Sequence, residues 1–383
     1  MIRGALGQQP RGRVTFALAS CLYPSDILNH MPGGEHATRG PADASLLALG
    51  DLLNKPDAPT LLLLAGDQIY ADATAGLFDP KVLDERYRIP QERRGESRGA
   101  KAVMQRLDLD VHMMIDDHEI KDNWAPNDPD PEQPGSGNTA IERGKSAYFV
   151  YERALLNFPT NVWYELTHKG LPFFLADTRT EREGRTALNS SSAQIMGPEQ
   201  FKELCEWLVA PQHGDLPKFV LTASTLLPRR LSVAGHLSCA LQSDAWDGYP
   251  FSLHSLLKFI CDNEIKGVVF LSGDEHLSNV VKAHLSCAET GKQCTVHSIH
   301  SSGLYSPYPF ANGSADEFIA NDAFDFPLRN PRYRCQSETR FFPGDGFALL
   351  AAQHNSPNWC LDVRFHSEIG LKDNGHVKLQ LME

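Results

Sequence analysis

Four short motifs in this 383-residue chain carry side chains that hold cations and move protons. They are Ser20-Cys21, Gly66-Asp67-Gln68-Ile69-Tyr70, Asp116-Asp117-His118-Glu119 and Gly273-Asp274-Glu275-His276. Each follows a short apolar run, so four strands deliver metal-competent groups at their carboxyl ends, the edge where open α/β sheets bind ligands. The mixture of carboxylate, imidazole, phenol and thiol suits hydrolysis at two metal ions. In that chemistry a bridging carboxylate holds two cations about 3.5–4 Å apart, and the pair clamps a phosphoryl group and activates water. Asp67 is the natural bridge, because it leaves the middle strand, and Tyr70 lies three residues on and can return to the same place. Phenolate and thiolate ligands favour an ion such as iron(III) over magnesium. Asp117 and Asp274 supply oxygen ligands for a second, harder ion. His118, beside the metals, is read as a general acid or as a holder of the phosphate.

Each motif alone has a plainer reading. Aspartate after a strand caps turns, and a cysteine at a strand end is commonly a packed thiol. The joint occurrence carries the weight, because chance rarely places carboxylate-rich turns after several successive apolar runs.

The elements that must position these groups alternate short apolar runs with longer amphipathic stretches, which predicts α/β layering. Strands are expected at 14–19, 60–65, 110–115, 218–221 and 267–271, and helices at 43–53, 139–157, 197–210 and 252–263. A further helix is expected to open at Asp79-Pro80. Residues 124–138 read as a polar surface loop. Two hairpins are expected, 162–167 with 171–177 turning at Lys169-Gly170, and 280–285 with 293–300. Three β-like runs follow Phe347. The expected organisation is one domain over 1–383, with its chemistry within 14–307 and a β-rich part over 308–383.

Composition narrows the class. Hydrophobic residues make up 42% and charged residues 22%, as in an ordinary globular chain with a sizeable core. No window approaches the roughly 18 uninterrupted apolar residues of a membrane span. A net charge of −12 argues against a nucleic-acid-binding domain. The eight cysteines contain no CxxC pair and read as reduced; Cys287 and Cys294 flank a hairpin turn, yet free thiols are expected. No signal peptide is read, so a cytoplasmic location is expected. Oligomeric state is not legible.

In order along the chain, ASC (19–21), GDQIYAD (66–72), DDHEIKDNW (116–124), FFLADTR (173–179), GPEQFKELCEWL (197–208), SDAWDGYP (243–250) and GDEH (273–276) resemble the alkaline phosphatase D, or PhoD-like, family of metallophosphoesterases. The resemblance covers roughly Val14 to Pro307. It implies a four-layer αββα sandwich of two mixed sheets and a phosphoric ester hydrolase acting on phosphodiesters, phosphomonoesters or both. It implies iron(III) held by Cys21, Asp67, Tyr70 and His276. The second ion, calcium with manganese, zinc or magnesium as alternatives, falls to Asp67, Asp117 and Asp274. His118 would face substrate. Asp117 and Asp274 stand where the wider superfamily has asparagine and histidine, swaps that suit oxygen-loving ions. Glu275 departs from the commoner GDVH.

Two roles stay open for Arg179, gripping phosphate or pairing with Asp177 or a neighbouring acid. Asp116 is a support or a ligand, with Asp117 the stronger candidate. Arg229-Arg230 is an anion-attracting pair or a solvated loop. Trp246 is read as packing, with the 244–249 patch as a candidate substrate wall. Two other functions fit the same residues: a metal-dependent amide or carboxylic-ester hydrolase, and a non-catalytic metal-holding protein.

Overall fold

The computed structural model describes residues 12–23, 44–71, 109–126, 139–152, 161–234, 241, 243–305, 314–327, 332–367 and 370–382. The first ten strands are β1 (Arg13–Leu22), β2 (Leu61–Leu64), β3 (Asp110–Met113), β4 (Tyr164–His168), β5 (Leu171–Ala176), β6 (Lys218–Thr222), β7 (Val268–Ser272), β8 (Ser278–Cys287), β9 (Gln293–His300) and β10 (Gly303–Tyr305). The remaining strands are β11 (Asn321–Phe326), β12 (Tyr333–Phe342), β13 (Phe347–Asn355), β14 (Asn358–Ser367) and β15 (Gly370–Gln380). The helices are α1 (Ala44–Leu53), α2 (Thr139–Ala147), α3 (Pro198–Leu208), α4 (Leu231–Ala234) and α5 (Pro250–Asp262).

Two mixed sheets result. One runs β15-β14-β13-β1-β2-β3, with β10 joined to β1; the other runs β11-β12-β8-β9-β7-β6-β5-β4. In the first, β1, β2 and β3 are parallel. In the second, β5, β6, β7 and β9 are parallel. The strands carrying the chemistry therefore point the same way within each sheet.

The layering follows from the period of two along a strand. Val14, Phe16 and Leu18 of β1 pack with Phe173, Leu175, Phe219, Leu221, Val269 and Leu271 of the other sheet, so the sheets face each other. The alternate residues Ala17 and Ala19 pack with Leu46, Leu49 and Leu53 of α1 on the outside. On the far side, Phe174, Val220, Val268 and Phe270 pack against Leu204 and Trp207 of α3 and Leu253, Leu256, Leu257 and Ile260 of α5. Phe16, Phe173 and Phe219 meet edge-to-face or stacked at 4.9–5.3 Å across the inter-sheet core. This is an αββα order, with few helices.

The expected strands and hairpins are present, and Lys169 and Gly170 turn the first hairpin with φ of 48° and 82°. Proline opens both α3 and α5. The helix expected over 139–157 is α-helical only to Ala147 and continues as a π turn over Tyr148–Glu152, its later part lying outside the described residues. The helix expected at Asp79-Pro80, the loop beyond 126, Asp72 and Asn138 also lie outside them. β10, β11 and β12 were not expected. Among the described residues, no helix is long and apolar enough to cross a membrane.

Candidate active site

The two sheets bring the four strand-end motifs to one place. One carboxylate oxygen from each of Asp67, Asp116, Asp117 and Asp274 lies within 4.8 Å of the others. Close approach of the strand ends depends on two glycines. A side chain at Gly66, whose φ is +100°, would place its first carbon 2.5 Å from Asp116 Cβ; one at Gly273 would stand 2.6 Å from Ser20 Oγ and 3.0 Å from the Ala65 carbonyl. Cys21, Asp67, Asp274 and His276 all adopt left-handed backbone, with φ of 49°, 57°, 83° and 48°. Non-glycine residues held there cost on the order of 1–3 kcal/mol each, and such strain gathers at functional sites.

Asp67 is central. Its Oδ1 accepts the backbone N–H of His118 at 3.3 Å, and its Oδ2 accepts the Cys21 thiol at 3.5 Å. Tyr70 Oη lies 3.3 Å from His276 Nε2. The His118 ring packs on the Tyr70 ring at 4.1 Å, and its Nε2 is 3.8 Å from Asp122 Oδ1. Cys21, Asp67, His118, Tyr70 and His276 are thus linked by pairwise contacts, while the groups close enough to share one ion among the described residues are Asp67, Asp116, Asp117 and Asp274, and Asp117, His118 and Asp122. Glu119 braces the site from within the core. Its carboxylate accepts the backbone N–H groups of Asp67 at 3.2 Å, Ile69 at 3.2 Å and Asp116 at 2.8 Å, tying two strand-end loops together.

Arg179 is completely buried against the cluster, with Nη2 3.5 Å from Asp117 Oδ1. Its Nε and Nη2 converge on Asp116 Oδ1 at 2.6 Å, and Nη1 reaches Asp244 Oδ2 at 2.5 Å. Asp244 also holds Arg182. Asp177, the alternative partner considered for Arg179, instead accepts the backbone N–H groups of Arg179 and Thr180 as a turn cap. Within the 244–249 patch, Trp246 is fully buried and donates from Nε1 to Thr222 Oγ1 at 3.2 Å, which makes it packing. Cys287 and Cys294 are free thiols.

The electrostatics call for cations. Burial, then neighbouring carboxylates, pushes Asp67 and Asp274 far above the usual carboxylate range. Burial raises Asp116 to about 7 against the pull of Arg179. Burial, then Asp67, raises the Cys21 thiol; burial, then Cys21, raises the Tyr70 phenol. Asp244 moves the opposite way, because Arg179 and Arg182 outweigh its burial. Asp116 Oδ2 is buried with no hydrogen-bond partner among the described residues. Crowded carboxylates, a thiol and a phenol that keep their protons, and an orphaned oxygen fit a cation site, since metal ions displace such protons.

The sequence ranks Asp116 below Asp117, gives Glu119 no role of its own, reads Asp244 as part of a candidate substrate wall rather than as a partner of Arg179, and does not single out Arg182. Glu119 left a legible trace: a glutamate three residues after Asp116 that returns to its backbone N–H has capping-box spacing. Asp244 and Arg182 left none, because their partners are remote in sequence.

Two facing mixed sheets with an acidic cluster at the strand ends define a metallophosphoesterase-like fold. The chain belongs to the PhoD-like phosphatase family, which it matches over residues 48–340. That match runs past Pro307, and β1 with Cys21 precedes it. The chain is similar to alkaline phosphatase D of Bacillus subtilis (strain 168), with 25% identity over 193 residues, which is 46% of this chain and 33% of that protein. A solved structure of PhoD superposes with a TM-score of 0.60 at 16% identity, over 98% of this chain and 69% of that one. A dimetal phosphatase from Danio rerio gives 0.46 at 12% identity, over 96% and 98%.

Proposed function

We propose that this protein is a metal-dependent phosphoesterase, hydrolysing phosphodiesters, phosphomonoesters or both. The observation that carries the reading is the convergence of Asp67, Asp116, Asp117 and Asp274 within 4.8 Å, with Cys21 and Tyr70 beside them. Cys21, Asp67, Tyr70 and His276 would hold iron(III). Asp67, Asp117 and Asp274 would hold a harder divalent ion such as calcium, with Asp116 Oδ2 as a further oxygen on that side. Two cations, when bound, supply charge neutralisation at the phosphoryl group and activation of water.

The chain's own groups do the rest. The two carboxylate oxygens of Asp67, which would contribute to both ligand sets, are oriented by the His118 N–H and the Cys21 thiol. His118 packs on Tyr70 with the rings tilted by 30° and Nε2 3.8 Å from Asp122 Oδ1, a position from which an imidazolium would hand a proton to the departing alkoxide. Arg179 serves as the fixed counter-charge of Asp116 rather than as a group in contact with substrate. Glu119 holds the loops of Asp67 and Asp116 at one spacing.

The test pairs an aryl phosphomonoester with an aryl phosphodiester, wild type beside Asp67→Asn, with bound metals quantified in both. Loss of one element of electrostatic stabilisation costs on the order of 10²–10³-fold, so Asp67→Asn is expected to lose at least that much, together with bound metal. Wild-type turnover in Asp67→Asn would refute the assignment.

A further inference from the structure

The arginines around the second sheet are used in different ways. Arg179 and Arg182 are buried and consumed by Asp116 and Asp244. Arg229 forks onto Asp322 at 2.7 and 2.9 Å, with its guanidinium 3.8 Å from the Phe324 ring centre. Arg230 differs: its side chain is 27% exposed and it stands beside the cluster. Its guanidinium is gripped by Glu275, the residue after Asp274, and Asp274 is the half-buried member of the four clustered carboxylates. Arg230 is therefore partly exposed, paired with the residue that follows Asp274, and near enough for the charge of Asp274 to act on it.

The position is built on every side. The Arg230 backbone N–H donates to Asp247 Oδ2 at 2.7 Å, its backbone pairs with Phe318 in an isolated antiparallel bridge, and the guanidinium covers the Phe318 ring at 5.1 Å. Glu275 is an anchor, with a side chain 7% exposed. The second carboxylate, Glu317, is 53% exposed and 3.3 Å from Arg230 Nη1. An exposed ion pair of that kind contributes little, so Glu317 is readily displaced by a better anion. Arg230 Nε, buried, has no hydrogen-bond partner among the described residues. A planar fork with one edge anchored by Glu275 and a weak carboxylate on its Nη1 side is suited to phosphate.

We infer that Arg230, positioned by Glu275, receives a second phosphoryl group of the substrate, displacing Glu317, so that the enzyme prefers phosphate esters whose alcohol portion carries another phosphate. This rests on the phosphoesterase reading and adds the substrate class.

The test uses two esters with identical scissile bonds, thymidine 5′-(4-nitrophenyl phosphate) with and without a 3′-phosphate, on the metal-loaded protein. One hydrogen-bonded charge pair at a partly exposed site is worth about tenfold. Wild type is expected to favour the 3′-phosphorylated ester by about tenfold in kcat/KM, mostly through KM. Arg230→Gln is expected to lose that preference while keeping turnover of the plain ester. Glu317→Gln is expected to increase the preference, an opposite shift that a merely structural pair would not produce. Calorimetric binding of thymidine 3′,5′-bisphosphate against thymidine 5′-phosphate reads the same contrast without turnover. If wild type released nitrophenol from neither ester and also left an aryl phosphomonoester intact, the phosphoesterase reading would fall, and calorimetry would still decide on Arg230. Equal binding of both nucleotides by wild type, or an Arg230→Gln protein weakened equally toward both, overturns the inference. Should Arg230→Gln fail to fold, Arg230→Lys and Glu317→Gln carry the same comparison.

Discussion

Replacing Gly273 by alanine probes how closely the two sheets must approach to assemble the site. The added carbon would stand 2.6 Å from Ser20 Oγ and 3.0 Å from the Ala65 carbonyl oxygen. Relieving such contacts needs about 1 Å of movement, since unstrained heavy atoms sit near 3.5 Å. Ser20 cannot supply it. It lies in β1 between β2 and β10, paired with Gly303 and donating to the Ser301 carbonyl at 3.4 Å. The end of β7 must move instead, and Asp274 is the next residue. Overpacking of this kind costs about 1–3 kcal/mol. Unfolding entropy near 2 cal/mol/K per residue then gives a melting temperature lower by roughly 1–4 °C. Activity should fall much further, about 10²-fold, because a displacement of 1 Å at a reacting centre has that effect. Calorimetry and steady-state turnover of the metal-loaded protein measure the two losses. Ser20→Gly removes the obstructing side chain, so Gly273→Ala combined with Ser20→Gly should recover much of the activity, a coupling of about 0.5–3 kcal/mol. A Gly273→Ala protein with wild-type melting and turnover, or strict additivity in the double variant, would refute the argument.

Arg179→Met leaves Asp116 and Asp244 buried without their shared cation; breaking buried pairs costs about 3–5 kcal/mol, and urea unfolding should show a loss of that order. In chelator-treated protein, Asp116 keeps its proton up to about pH 7, mainly through burial, whereas the unfolded chain releases it near pH 4. The folded state then binds more protons across that window, so metal-free stability is expected to fall as pH rises from about 4 to about 7. Metal-loaded protein should lose that slope; identical pH profiles with and without chelator would contradict the cation assignment. His254, stacked on Phe326 at 5.6 Å, is lowered to about 4 by burial and then by Arg229. A depressed histidine makes the unfolded state bind more protons between about pH 4 and 6.5. Stability should therefore rise with pH through that range, and His254→Asn should flatten the rise in thermal melts.

Much of the framework was legible because strand signals are local. Val14–Ala19 and Thr60–Ala65 are apolar enough to be buried on both faces, and Lys169-Gly170 is a turn readable from two residues. The strands β11 and β12 were missed although they alternate, as in Phe324 and Phe326 or Tyr333, Cys335 and Ser337. Their buried positions include Asp322, Ser337 and Thr339, and those polar residues break the apolar pattern that signals a strand. The π turn at Tyr148–Glu152 left no trace, because a change of helical hydrogen bonding does not alter the spacing of apolar residues enough to read.

By itself the sequence determined which side chains stand at the strand ends and what chemistry they could share. That information lies within a few residues of each strand: the apolar run buries it, and the polar turn that follows must face the edge. Only the tertiary structure decided the partners. Arg179 meets Asp116 across 63 positions and Asp244 across 65, and Arg230 meets Glu275 across 45. No local pattern can choose among several acids and arginines at such separations. The choice is made when two sheets pack face to face and bring remote acids and arginines into shared clusters, as where Asp244 holds both Arg179 and Arg182.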